Sequence, residues 1–545
     1  MAEASGDAAG APPAGPRVDL YDTTLRDGTQ REGLSLSARD KVRIAERLAR
    51  FGVRYVEGGW PGSNPKDREL FARAGEMDLG AAELTAFGST TRPGVAPGDD
   101  LQVRALLESG APVITIFGKS WVRHVEGVLR TTRAENLRMI RDTVAFLRAE
   151  GRRVIYDAEH FFDGHGGDAG YALATLGAAA EGGAACLVLC DTNGGSLPER
   201  VEAVLREARG QLPEAAFGIH AHDDGGLAVA NSLAAVRAGA TQVQGTVNGY
   251  GERCGNANLL TVAANLELKL GRRCVAEGQL AELTALSRFV ADVANLPPDA
   301  HAPYVGRSAF AHKGGVHVSA VRRDAGSYEH VAPEVVGNAR RVVVSELSGR
   351  SNVLSKAEEL GLGAAADGAA RSVVASVKER EARGYAYEAA EASVALLIAR
   401  EQPGYAAPFA IVEYQASVGR RRGVAFAEAT LRVEAGGEER LEVADGNGPV
   451  AALDGALRKA LVPLLPALAD VYLVDYKVRI LDGQDGTAST TRVIIDHALG
   501  DARFSTVGAS PNIVEASLEA LTDGYEYGLR LAAARVPAAP KTRNA

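Results

Sequence analysis

Two histidines stand two residues apart in Phe217-Gly-Ile-His-Ala-His222, and Asp27 follows Arg26 near the start of the chain. Side chains alternate along a strand, so His220 and His222 project to the same face if this segment is extended. Two imidazoles and a carboxylate make a site for a divalent ion such as zinc, manganese or iron. A lone His-x-His reads equally well as two core or surface histidines. Asp27 favours the metal, because strands one and eight would close a barrel next to strand seven. Asn256, in a loop after the last strand, offers a fourth oxygen or else caps that loop. Arg26 can bind a carboxylate or stabilise an enolate or alkoxide oxygen, or it simply neutralises Asp27 or Asp22. Glu159, two residues beyond Asp157, faces inward and can move a proton. Thr192 can donate to a substrate carboxylate or serve as a helix N-cap, and its neighbour Asp191 can be structural. The set suits aldol or Claisen chemistry on a chelated keto acid. It does not choose between making and breaking the bond.

The elements that must position these groups recur from residue 17 to about 271. Eight short β-branched segments, at 18–21, 54–57, 83–87, 113–117, 153–157, 186–189, 217–221 and 241–246, alternate with amphipathic stretches. Such alternation predicts parallel strands joined by crossover helices. Eight units in about 250 residues fit a closed (β/α)8 barrel. An open doubly wound sheet is disfavoured, since no Gly-x-Gly-x-x-Gly follows the first strand. Polar and ionisable residues crowd the positions just after nearly every strand, where barrel active sites lie. The glycines of Asn248-Gly-Tyr-Gly-Glu-Arg253 allow close backbone approach to a ligand.

The expected organisation is a disordered tail at 1–16, a catalytic barrel at 17–275, helical linker subdomains at 276–375, an α+β domain at 376–535 and a tail at 536–545. A Gly/Ala-rich stretch at 361–370 reads as a linker. The α+β domain is a tandem repeat of three strands and a helix, the helices opened by Gly446-Asn-Gly-Pro449 and Gly508-Ala-Ser-Pro511. Proline suits a first helical turn. A duplicated unit with few catalytic candidates reads as a ligand-sensing or dimerisation module, or as a structural clamp.

The chain of 545 residues carries a net charge of −9, which argues against a nucleic-acid partner. It has no apolar run of about 18 residues, so no membrane span is expected. Its first residues lack the pattern of a signal peptide. The four cysteines form no disulfide framework and no zinc pattern, consistent with a cytoplasmic protein.

Asp22-Thr-Thr-Leu-Arg-Asp-Gly-Thr-Gln30, His220-Ala-His222 and Gly249-Tyr-Gly-Glu-Arg-Cys-Gly-Asn-Ala-Asn258 resemble the 2-isopropylmalate synthase and homocitrate synthase family. Further stretches resemble its citramalate synthase branch, among them Glu57-Gly-Gly-Trp-Pro-Gly-Ser-Asn-Pro-Lys66, Phe117-Gly-Lys-Ser-Trp121 and Val344-Ser-Glu-Leu-Ser-Gly-Arg-Ser-Asn352. The likeness runs from about residue 17 to 530. It implies condensation of acetyl-CoA with pyruvate to (R)-citramalate on a route to isoleucine. Sister enzymes use other 2-keto acids, and a chain that had lost catalysis would be a metabolite sensor. The resemblance implies a divalent metal (manganese, magnesium or zinc) on Asp27, His220 and His222, with Asn256 close by or ligating. Arg26 would polarise the keto acid and Thr192 would hold its carboxylate. Glu159 and His317 would handle the acetyl proton, assisted by Tyr328. It also implies a homodimer, with the His317 segment reaching the partner's barrel, and an amino-acid effector (isoleucine or leucine) on the C-terminal repeat. The sequence departs from the family at Asp223, where asparagine is common; an added carboxylate there would sit near the metal.

Overall fold

The first barrel helix shows how local sequence sets these elements. Ser37 accepts from the Asp40 N–H while the Asp40 side chain accepts from the Ser37 N–H, a reciprocal cap that starts α1 (Ala38–Phe51). Gly52, at φ 103°, ends it in the left-handed conformation. Ile44, Ala45, Leu48 and Phe51 form its buried face. The computed structural model describes residues 15–360, 363–481, 486 and 488–535.

Eight parallel strands close into a barrel: β1 (Asp19–Asp22), β2 (Tyr55–Gly59), β3 (Glu83–Ser89), β4 (Val113–Lys119), β5 (Arg153–Glu159), β6 (Cys186–Asp191), β7 (Phe217–Ala221) and β8 (Gln242–Gly245). The seam is β1 against β8, with Leu20 opposite Val243. Each strand lies where the sequence predicts one. Several extend one or two residues further at their C-terminal ends, because polar mouth residues stay in the ladder, as Lys119 does opposite Glu159. The crossover helices after α1 are α2 (Pro65–Ala72), α3 (Leu101–Glu108), α4 (Arg133–Ala149), α5 (Ala169–Gly182), α6 (Pro198–Gln211) and α7 (Ala228–Ala238); α8 (Leu259–Leu268) follows the last strand. One apolar layer lies between strands and helices. A smaller one fills the barrel interior with Tyr21, Tyr55, Val113, Ile155, Cys186, Val188 and Cys190. Gly15 pairs with Arg272 in a short parallel ladder, so the expected N-terminal tail is structured from there. Residues 1–14 and 536–545 lie outside the described residues.

By compactness the chain forms two units, one of residues 1–310 with 331–339 and one of 311–330 with 340–545. In the second, β9 (Ala410–Arg421), β10 (Val424–Ala435) and β11 (Glu438–Gly446) form an antiparallel sheet covered by α9 (Pro449–Leu461). The plan repeats in β12 (Val471–Ile480), β13 (Thr491–Leu499), β14 (Ala502–Ser510) and α10 (Ile513–Arg535). Pro449 does occupy the first turn of α9, whereas Pro511 precedes α10. Residues 363–370 of the stretch read as a linker belong to the helix Gly363–Ala382, alanine content favouring helix over coil; residues 361–362 lie outside the described residues.

Candidate active site

His220 lies on β7 and His222 one residue beyond it; both are buried. An isolated bridge pairs His222 with Asn256 and brings the loop after β8 back across the mouth. Gly251 allows the close return: at φ 155°, a Cβ there would meet Asn256 Nδ2 at 2.3 Å. These glycines therefore serve the approach of the chain to itself. Asp27 enters from the turn after β1. Its Oδ2 lies 3.5 Å from His220 Nε2 and 3.9 Å from His222 Nε2. One ligand atom from each of the three residues falls within 4.8 Å of the others.

Hydrogen bonding sets the tautomer of His220. Asp157 accepts from the Gln244 amide at 2.9 Å, which leaves Gln244 Oε1 to accept from His220 Nδ1 at 2.8 Å. With Nδ1 so engaged, Nε2 is the ring nitrogen left open toward Asp27. Burial, and next the His220 ring, push His222 down to about 4, so it is neutral near pH 7. Burial alone would raise Asp27, but the neighbouring charges, Arg26 first, outweigh it and hold the carboxyl below its ordinary value. Asp27 Oδ1 and Asn256 Oδ1 are buried acceptors with no hydrogen-bond partner, which is costly. A carboxylate and two imidazoles whose ligand atoms lie within 4.8 Å of one another fit a divalent cation.

Arg26 donates through Nε to Glu57 at 2.8 Å and through Nη1 to Asp27 at 3.3 Å. Glu57 is fully buried and also accepts from Tyr21 Oη at 2.8 Å and from Thr23 Oγ1. Burial would discharge Arg26, but Glu57 and Asp27 keep it cationic. Glu159 pairs with Lys119 at the end of the adjoining strand. Thr192 Oγ1 accepts from the His160 N–H at 2.9 Å, which leaves its own O–H to donate. It is no helix cap, since α6 begins at Pro198. Asp191 is structural and holds Ser196 through its N–H and hydroxyl at 3.1 and 3.0 Å. Arg26, Asp27, Glu159, Thr192, His220 and His222 share one cavity of about 240 Å³ with Trp60, Phe87 and Phe117.

Asp223 does not aim its carboxylate at this cluster. Its Oδ1 accepts from the Ala228 N–H at 2.8 Å, at the start of α7, a task asparagine performs equally. His317 and Tyr328 are exposed residues of the second unit, with ring centroids 4.7 Å apart. The sequence reading missed Glu57, Gln244 and Lys119 as partners of the site. The signal available was a polar residue inside a strand at an inward position.

Residues 17–290 match the HMGL-like family, 304–384 the homocitrate synthase post-HMGL domain and 388–529 the LeuA allosteric (dimerisation) domain. The chain is 54% identical to an (R)-citramalate synthase of Synechocystis sp., over 94% of its own length and 96% of the relative's. It is 52% identical to one of Streptomyces coelicolor and 49% identical to one of Geobacter sulfurreducens, each over 94% of its own length and at least 96% of theirs.

Proposed function

We infer the reaction from one premise: the chain belongs to the HMGL-like family and, over 94% of its length, to the (R)-citramalate synthases within it. It is an acyltransferase that turns the acyl group into an alkyl group on transfer. It condenses acetyl-CoA with pyruvate and water to give (R)-citramalate and CoA.

The observation that carries the site assignment is the convergence of ligand atoms from Asp27, His220 and His222 within 4.8 Å, beside unpartnered oxygens on Asp27 and Asn256. These four residues would hold a divalent ion, manganese, magnesium or zinc, which would chelate the keto acid and polarise its carbonyl as a Lewis acid. Arg26, held rigid by Glu57, donates to the keto oxygen and stabilises the negative charge that grows there. Thr192 donates its free O–H to the substrate carboxylate. Glu159 takes a proton from the acetyl methyl group. The resulting enolate carbon attacks the keto carbon, the new alkoxide is protonated, and water cleaves the thioester to release CoA. His317 and Tyr328 act in the proton transfers, reaching the partner's barrel in a homodimer.

We read the chain as a barrel (17–275), a linker (276–375) and a regulatory domain (376–535) that dimerises and binds isoleucine or leucine. The match to an allosteric dimerisation domain supports this reading. So do the exposed Val418 and Ile480 on the repeat's outer strands. Among the described residues no helix is long and apolar enough to cross a membrane, which agrees with a cytoplasmic step on a route to isoleucine. The test is CoA release from acetyl-CoA with manganese, comparing pyruvate, 2-oxobutyrate, 2-oxoisovalerate and 2-oxoglutarate. Preference for pyruvate is expected; preference for another acid overturns the substrate, and no turnover with any overturns the reaction.

A further inference from the structure

The polar part of the barrel cavity is taken up by the groups just described, and the apolar part is mainly three aromatic rings. Trp60 follows β2, Phe87 lies on β3 and Phe117 on β4. Phe87 and Phe117 stack with centroids 5.5 Å apart. Trp60 meets both edge-on, at 5.9 and 5.7 Å. The Arg26 guanidinium carbon lies 3.7 Å from the Phe87 ring centroid. The group that would take the keto acid's oxygen therefore rests on the aromatic wall, so a substrate held there presents its side chain to that wall.

Trp60 is tied at both ends. Its backbone N–H donates to Asp67 Oδ2 at 2.8 Å, and its indole N–H donates to Gln102 Oε1 at 3.0 Å. Asp67 is itself buried and paired with the buried Lys41. Gly59 makes the first tie possible: at φ 142°, a Cβ there would stand 2.2 Å from Asp67 Cγ. A ring pinned in this way does not yield to a longer substrate as a flexible methionine would.

We propose that Trp60, backed by Phe87 and Phe117, is the specificity-determining residue that limits the 2-keto acid to a methyl side chain, with Gln102 as the positioning residue that holds the indole. This rests on the condensation reading above. A wall of this kind discriminates by about 10- to 200-fold per methylene.

The test is kcat/KM for pyruvate, 2-oxobutyrate and 2-oxoisovalerate in the full-length protein and in Trp60→Ala, Phe87→Leu and Gln102→Leu. In Trp60→Ala the ratio of 2-oxobutyrate to pyruvate rises about tenfold or more, mostly through the KM for the longer acid. Gln102→Leu moves the same ratio in the same direction by a smaller factor. A merely structural role would lower both acids together and leave the ratio fixed, which overturns the proposal. If Trp60→Ala does not fold, Phe87→Leu carries the test by the same ratio. A wild-type enzyme that is selective for pyruvate, with variants equally selective, overturns this proposal alone. A wild-type enzyme that uses 2-oxoisovalerate as well as pyruvate overturns the substrate reading with it.

Discussion

In the barrel, Asp27 Oδ1 and Asn256 Oδ1 are buried without a partner. In the C-terminal repeat, Asp523 is comparably buried but accepts from Ser393 Oγ at 2.8 Å and Arg400 Nη2 at 2.7 Å. Its neighbour Glu526 receives Arg400 and Tyr405 Oη. The surfaces differ in the opposite sense. The repeat leaves Val418, Val424, Leu441, Val478 and Ile480 in solvent, although exposed apolar strand residues invite association. One region thus leaves polar capacity unspent in its interior, and the other leaves apolar capacity unspent on its surface. The first suits a small charged ligand and the second a protein partner.

The sharpest way to break this contrast is His220→Ala. Stoichiometric manganese binding should be lost and kcat should fall by about 10³-fold or more, on the scale of losing a principal electrostatic group. Circular dichroism should stay that of the wild type; unchanged turnover would remove the metal assignment. Next in size is Glu57→Gln, which leaves Arg26 in the cavity without its buried counter-charge. We expect kcat/KM to fall about 10²-fold and the barrel to lose about 3 kcal/mol in urea melts. A variant with normal activity would show that Arg26 needs no brace.

The repeat offers a comparable effect through His497. This residue is buried, with Thr506 Oγ1 at 3.0 Å and the Phe504 ring stacked on it, while Asp496 favours its charged form. Burial is the dominant influence and holds it at about 4. Its unfolded value is about 6.5, so the unfolded chain takes the proton first. Stability of the second unit should therefore decline as pH falls from about 6.5 to about 4 and then level, by at most about 3 kcal/mol. The stability difference between wild type and His497→Gln should change across that window; a difference independent of pH contradicts the assignment. The smallest effect is Val418→Asp. It should shift sedimentation from dimer toward monomer while monomer stability moves by less than about 0.5 kcal/mol.

Much of this was legible in the sequence, and the residues say why. Strand positions follow from β-branched runs such as Val113-Ile-Thr-Ile116, and His220 and His222 from strand alternation. What escaped is contact between residues distant in sequence. Gln244 and Asp157 are 87 residues apart, Glu57 and Arg26 are 31, and no local period links them. Thr192 looked like a possible cap because cap and site residues share the same chemistry. The effect of Asp223 depended on which way one side chain turned.

The ligand candidates also lie across the barrel seam. Asp27 follows the first strand, whereas Asn256 arrives from beyond the last one through its bridge to His222. During synthesis the four residues cannot meet until the whole barrel has emerged. An ion gripping both sides would act as a fastener on the N- and C-terminal ends of the barrel and resist unzipping between β1 and β8. Metal affinity would then report barrel closure as well as chemistry, and removing the ion would cost the barrel stability as well as turnover.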